Sequence, residues 1–220
     1  MSEHDHDHPH EHAQRDFQPD EEPTPSALRA AAIEALLTEK GVVTREEVTR
    51  VVEATRAQTP QAGAAVVARA WSDPAYKERL KARPFEAIAE LGYDIPIEAP
   101  QLYVVENSPE QRNVIVCTLC SCYPRALLGP PPDWYKSLAY RSRVVVEPRA
   151  VLREFGTVVP ENVEVKVWDS TADLRFLVIP ERPAQTEGLG EDALAGLVTR
   201  DSMIGVSDAL APEAAEAQAG

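Results

Sequence analysis

Past its twelfth residue this 220-residue chain contains no histidine, and it has only three cysteines. The five histidines (His4, His6, His8, His10, His12) stay in the opening segment, while Cys117, Cys120 and Cys122 share one six-residue stretch. The body therefore lacks the base that a serine triad needs, which sets serine hydrolase chemistry aside. Three crowded cysteines, an odd number, make a poor disulfide framework. Basic residues are scarce too: 22 Lys and Arg against 36 Asp and Glu leave a net charge of -14, the wrong sign for neutralising nucleic-acid phosphates. No apolar run reaches the roughly 20 residues that span a bilayer. No basic stretch followed by an apolar one opens the chain, so no signal peptide is expected. These absences predict no nucleic-acid partner and no membrane partner. They also predict a reducing, cytoplasmic setting in which thiolates are available to a metal.

What is present suits one domain with a core plus appendages: 44% of residues are hydrophobic and 6% aromatic. Residues 1–24 hold eight acids and one arginine, so this leader supplies half of the net charge. Its His-acid alternation, turning Pro/Glu-rich, lacks the apolar residues to offset ordering entropy and reads as disordered. It is either a solvated acidic leader or cloning remnant, or a weak metal-collecting arm. From Ser26 the texture is helical. SALRAAAIEALLTEKG closes at Gly41, and Thr44 with Glu47 forms a capping box for a helix through about Thr55. Residues 61–71 form a third helix, Ser72 and Pro74 open a fourth, and Pro84 to Gly92 forms one more.

Past Pro96 the residues favour strands. LYVVEN (102–107) and NVIVC (113–117), β-branched and separated by a polar turn, suggest a strand pair, with the second delivering the chain into the cysteines. Pro130-Pro131-Pro132 can continue neither helix nor strand. Tyr135 to Phe155 reads as two helical pieces broken at Pro148. VEVKVWDS (163–170) and LRFLVIP (174–180) are two further strands, and Glu191 to Val198 is a last helix. The fold class is α+β: a disordered leader (1–24), a helical arm (25–96), a small mixed α/β layered domain carrying the cysteine loop (97–210), and a frayed tail (211–220).

The loop itself reads V-C-T-L-C-S-C-Y-P from Val116 to Pro124. A structural zinc site takes four Cys or His ligands, and an iron–sulfur cluster wants four cysteines at other spacings. A thioredoxin-like C-x-x-C gives Cys122 no role. One metal held by three sulfurs plus backbone nitrogen, with a position left open, fits the spacing. Three inert buried or redox cysteines are the alternative.

VCTLCSCYP, with the following GPPPDWYKSLAYRSRVVVEPRAVLREFG, VWDSTADLRFLVIPERPAQTEG and LVTRDSMIGVSDAL, resembles the α subunit of nitrile hydratase over roughly residues 26–210. The resemblance implies one non-corrin Co(III), or alternatively Fe(III), per chain, held by Cys117, Cys120, Ser121 and Cys122, with the amide nitrogens of Ser121 and Cys122 completing the set. It implies sulfinic and sulfenic oxidation at Cys120 and Cys122. Thr118 and Tyr123 match the cobalt form, where the iron form has Ser and Thr. The implied chemistry is hydration of a small nitrile to its amide, the sulfenate of Cys122 or an activated water attacking the nitrile carbon. A β-type subunit in a hetero-oligomer (α2β2 or similar) and a metal-loading activator or chaperone are the implied partners. Arg175, seven positions into a stretch opening at Asp169, matches an arginine near the subunit interface; a surface salt bridge is its plainer reading.

Two positions depart from the family. Arg125 and Leu189 stand where nitrile hydratases usually have tryptophan. Arginine at the first resembles thiocyanate hydrolase, a cobalt relative whose γ subunit also has a His/Asp-rich leader, and a cation there would favour an anionic substrate. RDSMIGVSDAL is closer to the cobalt nitrile hydratases. The alternatives to nitrile hydration are thereby a thiocyanate hydrolase γ-type subunit, yielding carbonyl sulfide and ammonia, and a non-enzymatic metal carrier.

Overall fold

The computed structural model describes residues 24–93, 95 and 100–212. The histidine leader and residues 213–220, on which the expectations of disorder fall, lie outside the described residues. The chain divides into two compact units between Ala57 and Gln58. The helices after Gln58 pack in the second unit.

The first unit holds α1 (Pro25–Glu39) and α2 (Arg45–Ala57). Thr24 caps α1, its hydroxyl accepting from the Ala27 amide at 3.2 Å, and Gly41 leaves the helix at φ 66°. The expected capping box opens α2: the Thr44 amide donates to Glu47 at 2.7 Å, and the Glu47 amide donates to Thr44 Oγ1 at 3.2 Å.

The second unit begins with α3 (Gln61–Ser72), α4 (Pro74–Ala82) and α5 (Pro84–Ala89). Asp73, rather than Ser72, caps α4: its carboxylate accepts from the Tyr76 amide at 3.0 Å, while Ser72 Oγ donates back to Ala68 O within α3. A carboxylate is the stronger acceptor at a helix N-terminus, and Pro74 at N1 costs no hydrogen bond. Buried Val66, Val67, Tyr76, Leu80 and Ile88 commit these helices to the core.

The strands are β1 (Gln101–Glu106), β2 (Gln111–Val116), β3 (Glu164–Asp169) and β4 (Leu174–Ile179). The expected pairing of the first two is wrong. β1 runs parallel to β4, with Gln101 opposite Leu174, and β2 runs parallel to β3, with Val116 opposite Asp169. Between β1 and β2 only one bridge joins Ser108 to Gln111. The side chain of Asn107 takes the place of a hairpin ladder. Its Oδ1 accepts from the Asn113 amide at 2.8 Å, while Asn113 Nδ2 donates to Glu106 O at 2.8 Å. Trp168 and Phe176 bring the two pairs together, ring centroids 5.1 Å apart. The crossover from β2 to β3 carries α6 (Arg125–Leu128), α7 (Asp133–Lys136), α8 (Leu138–Arg143) and α9 (Pro148–Glu154). The break at Pro148 stands where the sequence put it. After β4 come α10 (Glu191–Ala195) and α11 (Arg200–Ile204), the latter opened by a Thr199–Ser202 capping box. Among the described residues no helix is long and apolar enough to cross a membrane.

Candidate metal centre

The three cysteines sit where β2 ends. Val114, Ile115 and Val116 are wholly buried, and Tyr140 Oη donates to Ile115 O at 2.6 Å, so the last strand residues before the loop are pinned. From there the chain turns back on itself through Thr118. Across the ladder, Asp169 accepts from the Thr118 amide at 2.9 Å and from its hydroxyl at 2.6 Å. Arg141 donates to Thr118 O at 3.3 Å from the other side. Farther along, the buried Tyr135 hydroxyl donates to Cys122 O at 2.9 Å. Its ring packs edge-on to Tyr123, centroids 5.2 Å apart, and tilted against Tyr140 at 5.8 Å. The loop is thus held at both ends by side chains from β3, α7 and α8.

This clamp turns the sulfurs toward one another. Cys117 Sγ lies 3.5 Å from Cys120 Sγ, which lies 3.3 Å from Cys122 Sγ, and all three fall within 4.8 Å. All are free thiols, Cys117 buried, Cys122 half-buried and Cys120 exposed. The Cys120 amide also points at Cys117 Sγ, 3.2 Å away. Hydrogen bonds from the Cys122 and Cys117 thiols draw the Cys120 thiol down to about 7. Burial pushes Cys122 up to about 12, helped by Cys120, with the charge of Arg175 pulling the other way. Three thiolates this close cannot ionise together without a cation among them. The donor set therefore fits a soft-ligand transition metal. No fourth Cys or His exists in residues 13–220 to close a zinc tetrahedron.

Ser121 also lines a cavity of about 460 Å³, whose walls are mainly apolar, Phe85, Leu102 and Leu127 among them. Arg125 and Arg175 line the same cavity. Arg175 is half-buried and donates to the carbonyls of Thr171, Ala172 and Leu174. Arg125, on the first turn of α6, is exposed. Leu189, the other departure, is 37% exposed beyond the turn after Thr186 and does not line this cavity. Cys117, Cys120, Ser121, Cys122, Arg125 and Arg175 thus fall in one region. Tyr135 and Arg141 support the loop without having been singled out from the sequence. Their long-range bonds to main-chain carbonyls leave no local motif to find.

The family model described as "Nitrile hydratase, alpha chain" matches residues 24–207. The high-molecular-weight cobalt-containing nitrile hydratase α subunit of Rhodococcus rhodochrous is 52% identical over 187 residues, 84% of this chain and 92% of that protein. The thiocyanate hydrolase γ subunit of Thiobacillus thioparus is 40% identical over 186 residues, 80% of this chain and 76% of that one. Among solved structures, a double mutant of the Fe-type nitrile hydratase of Comamonas testosteroni Ni1 superposes with a TM-score of 0.79 at 44% identity, covering 84% of this chain and 90% of its own. A match this long to the family model, joined to majority identity with a cobalt-containing α subunit, means that this chain belongs to the nitrile hydratase α-chain family.

Proposed function

We propose that this chain is the metal-carrying subunit of a cobalt nitrile hydratase, a hydro-lyase that converts a nitrile to its amide. The convergence of the three sulfurs carries the reading. Cys117, Cys120 and Cys122 would hold the metal through sulfur, with Ser121 and Cys122 adding main-chain nitrogen. When bound, a trivalent cobalt or iron would supply Lewis acidity toward a nitrile or water. The chain's own residues do the rest. Asp169, Arg141 and Tyr135 keep the loop backbone from relaxing, which holds the donors in position. The mainly apolar walls of the cavity beside Ser121 exclude bulk water from a bound nitrile. Arg175, whose charge is felt at Cys122, favours an anionic sulfur there, as expected if Cys120 and Cys122 are oxidised to sulfinate and sulfenate. Cys122 is the residue we assign to attack on the nitrile carbon, directly through its oxidised sulfur or by activating water.

Cys120 is exposed at the surface of this chain and Leu119 beside it is 84% exposed, so the loop is left uncovered by its own subunit. Nitrile hydratase α subunits work as hetero-oligomers with β subunits, and a β-type chain would cover this face. The test uses the co-expressed complex, by metal analysis, intact mass and product assay. The expected result is one cobalt per chain, about three added oxygens on the Cys117–Cys122 peptide, and amide from nitrile. Zinc and unmodified thiols in an active complex would refute the assignment. A metal carrier would instead surrender cobalt to a chelator and show no turnover beside its partner. Arg125 in the cavity, together with the γ-subunit relative, favours thiocyanate hydrolysis as the second reading, and carbonyl sulfide with ammonia would be its products.

A further inference from the structure

The chain carries a net charge of -14, yet the cavity that opens on Ser121 is lined by two arginines and no carboxylate. The two cations differ in what they have left to give. Arg175 gives one nitrogen, Nη1, to the carbonyls of Thr171, Ala172 and Leu174 and acts electrostatically on Cys122, so part of its fork is engaged. Arg125 makes no side-chain hydrogen bond or ion pair among the described residues. An unpaired guanidinium beside apolar walls offers a planar fork of donors suited to a carboxylate. At about 460 Å³ the space falls within the usual range of small-molecule sites, and it exceeds what a two- or three-atom ligand fills.

We propose that Arg125 is a specificity-determining residue that selects nitriles with a carboxylate at the end opposite the cyano group, their apolar middle lying against walls such as Phe85, Leu102 and Leu127. A cyanobenzoate has this layout: cyano group toward Ser121, flat ring across the walls, carboxylate on Arg125. This inference rests on the nitrile-hydratase reading and narrows its substrate.

The experiment uses the complex assembled with its β-type partner. 4-Cyanobenzoate is compared with the neutral 4-cyanobenzamide, in the native chain and in Arg125→Met and Arg125→Lys variants. Cobalt per chain is measured in each. Calorimetry runs beside the assays, with the hydration product 4-carbamoylbenzoate and neutral terephthalamide as ligands. The native complex is expected to favour the anion about tenfold in kcat/KM and in binding, less at high salt. Arg125→Met should bring both ratios to within about twofold of unity, and Arg125→Lys should leave an intermediate preference. A ratio unchanged in Arg125→Met overturns the proposal, as does loss of cobalt in that variant, which would make Arg125 a partner of the metal loop. Faster turnover of thiocyanate than of any organic nitrile also overturns it. If no nitrile is hydrated, the nitrile-hydratase reading fails by itself, and the calorimetric ratio still decides whether Arg125 selects carboxylates.

Discussion

Two helices of similar make-up behave in opposite ways in this chain. α1 (PSALRAAAIEALLTE) and α3 (QAGAAVVARAWS) are both rich in alanine with branched apolar residues interspersed. α3 buries six of its twelve residues, whereas α1 buries none and leaves Leu28, Ile33 and Leu36 at least half exposed. Composition and helix propensity are thus equal to both tasks, and what separates them is the presence of a complementary surface. α3 meets Met203, close against Gly63, within the second unit. α1 is helical by capping and propensity alone, contributing no core to its own unit. The stability of the isolated chain therefore resides in the second unit, and mutations there should cost far more than mutations in the first.

The sharpest test of that division is Gly205→Ala. Gly205 closes α11 at φ 95°, and a Cβ there would run into the carbonyl of Asn113 in β2, the strand that leads to the cysteines. Backbone cannot move aside as a side-chain tip can. The expected loss is about 4 kcal/mol or more, read as a collapse of the thermal transition or failure to express in soluble form. A variant with the native transition would mean that α11 does not brace β2.

Asp169→Ala comes next, and acts on the metal loop more than on the fold. It removes both acceptors of Thr118 from an exposed position on β3. Metal retention in the assembled complex should weaken by about 10–100-fold in chelator competition, with a small change in melting temperature. Tyr135→Phe should cost about 1–2 kcal/mol by chemical denaturation, because the Cys122 carbonyl loses its buried donor while the ring packing survives. If Tyr135→Phe proves neutral, the Cys122 end of the loop is held by packing alone.

The residues behind these predictions were unequally legible in the sequence. The cysteines were plain, because C-x-x-C-x-C is local and the chain has no other thiol and, past residue 12, no histidine. The α+β class, the four strands and the capping box at Thr44 followed from periodicity and cap chemistry, both short-range. Strand partners did not. β1 and β2 lie close in sequence and imitate a hairpin, but Asn107 and Asn113 bond side chain to main chain and divert the ladder. The register that places Asp169 opposite Val116 pairs residues 53 positions apart in sequence, beyond any local pattern. α6 and α11 went unseen because helices of four and five residues are too short for a periodic signal. Asp73 displaced Ser72 as a cap through a one-residue ambiguity that only geometry resolves.

The smallest effect completes the comparison. Leu36→Ser, on α1, replaces a side chain of which half is already in water, so the isolated chain should lose no more than about 0.5 kcal/mol. The matched change on α3, Val67→Ser, removes a fully buried side chain and leaves a polar group in its place, and should cost several kcal/mol, roughly 3. Both are read by urea denaturation of the isolated chain, where a two-state slope common to all variants allows direct subtraction. A Leu36→Ser loss comparable to that of Val67→Ser would show that α1 already packs on something in the isolated chain. A loss near zero leaves its apolar residues free for a partner. In that case the same substitution should weaken co-purification with the β-type subunit, an effect that no change in the stability of the chain alone could produce.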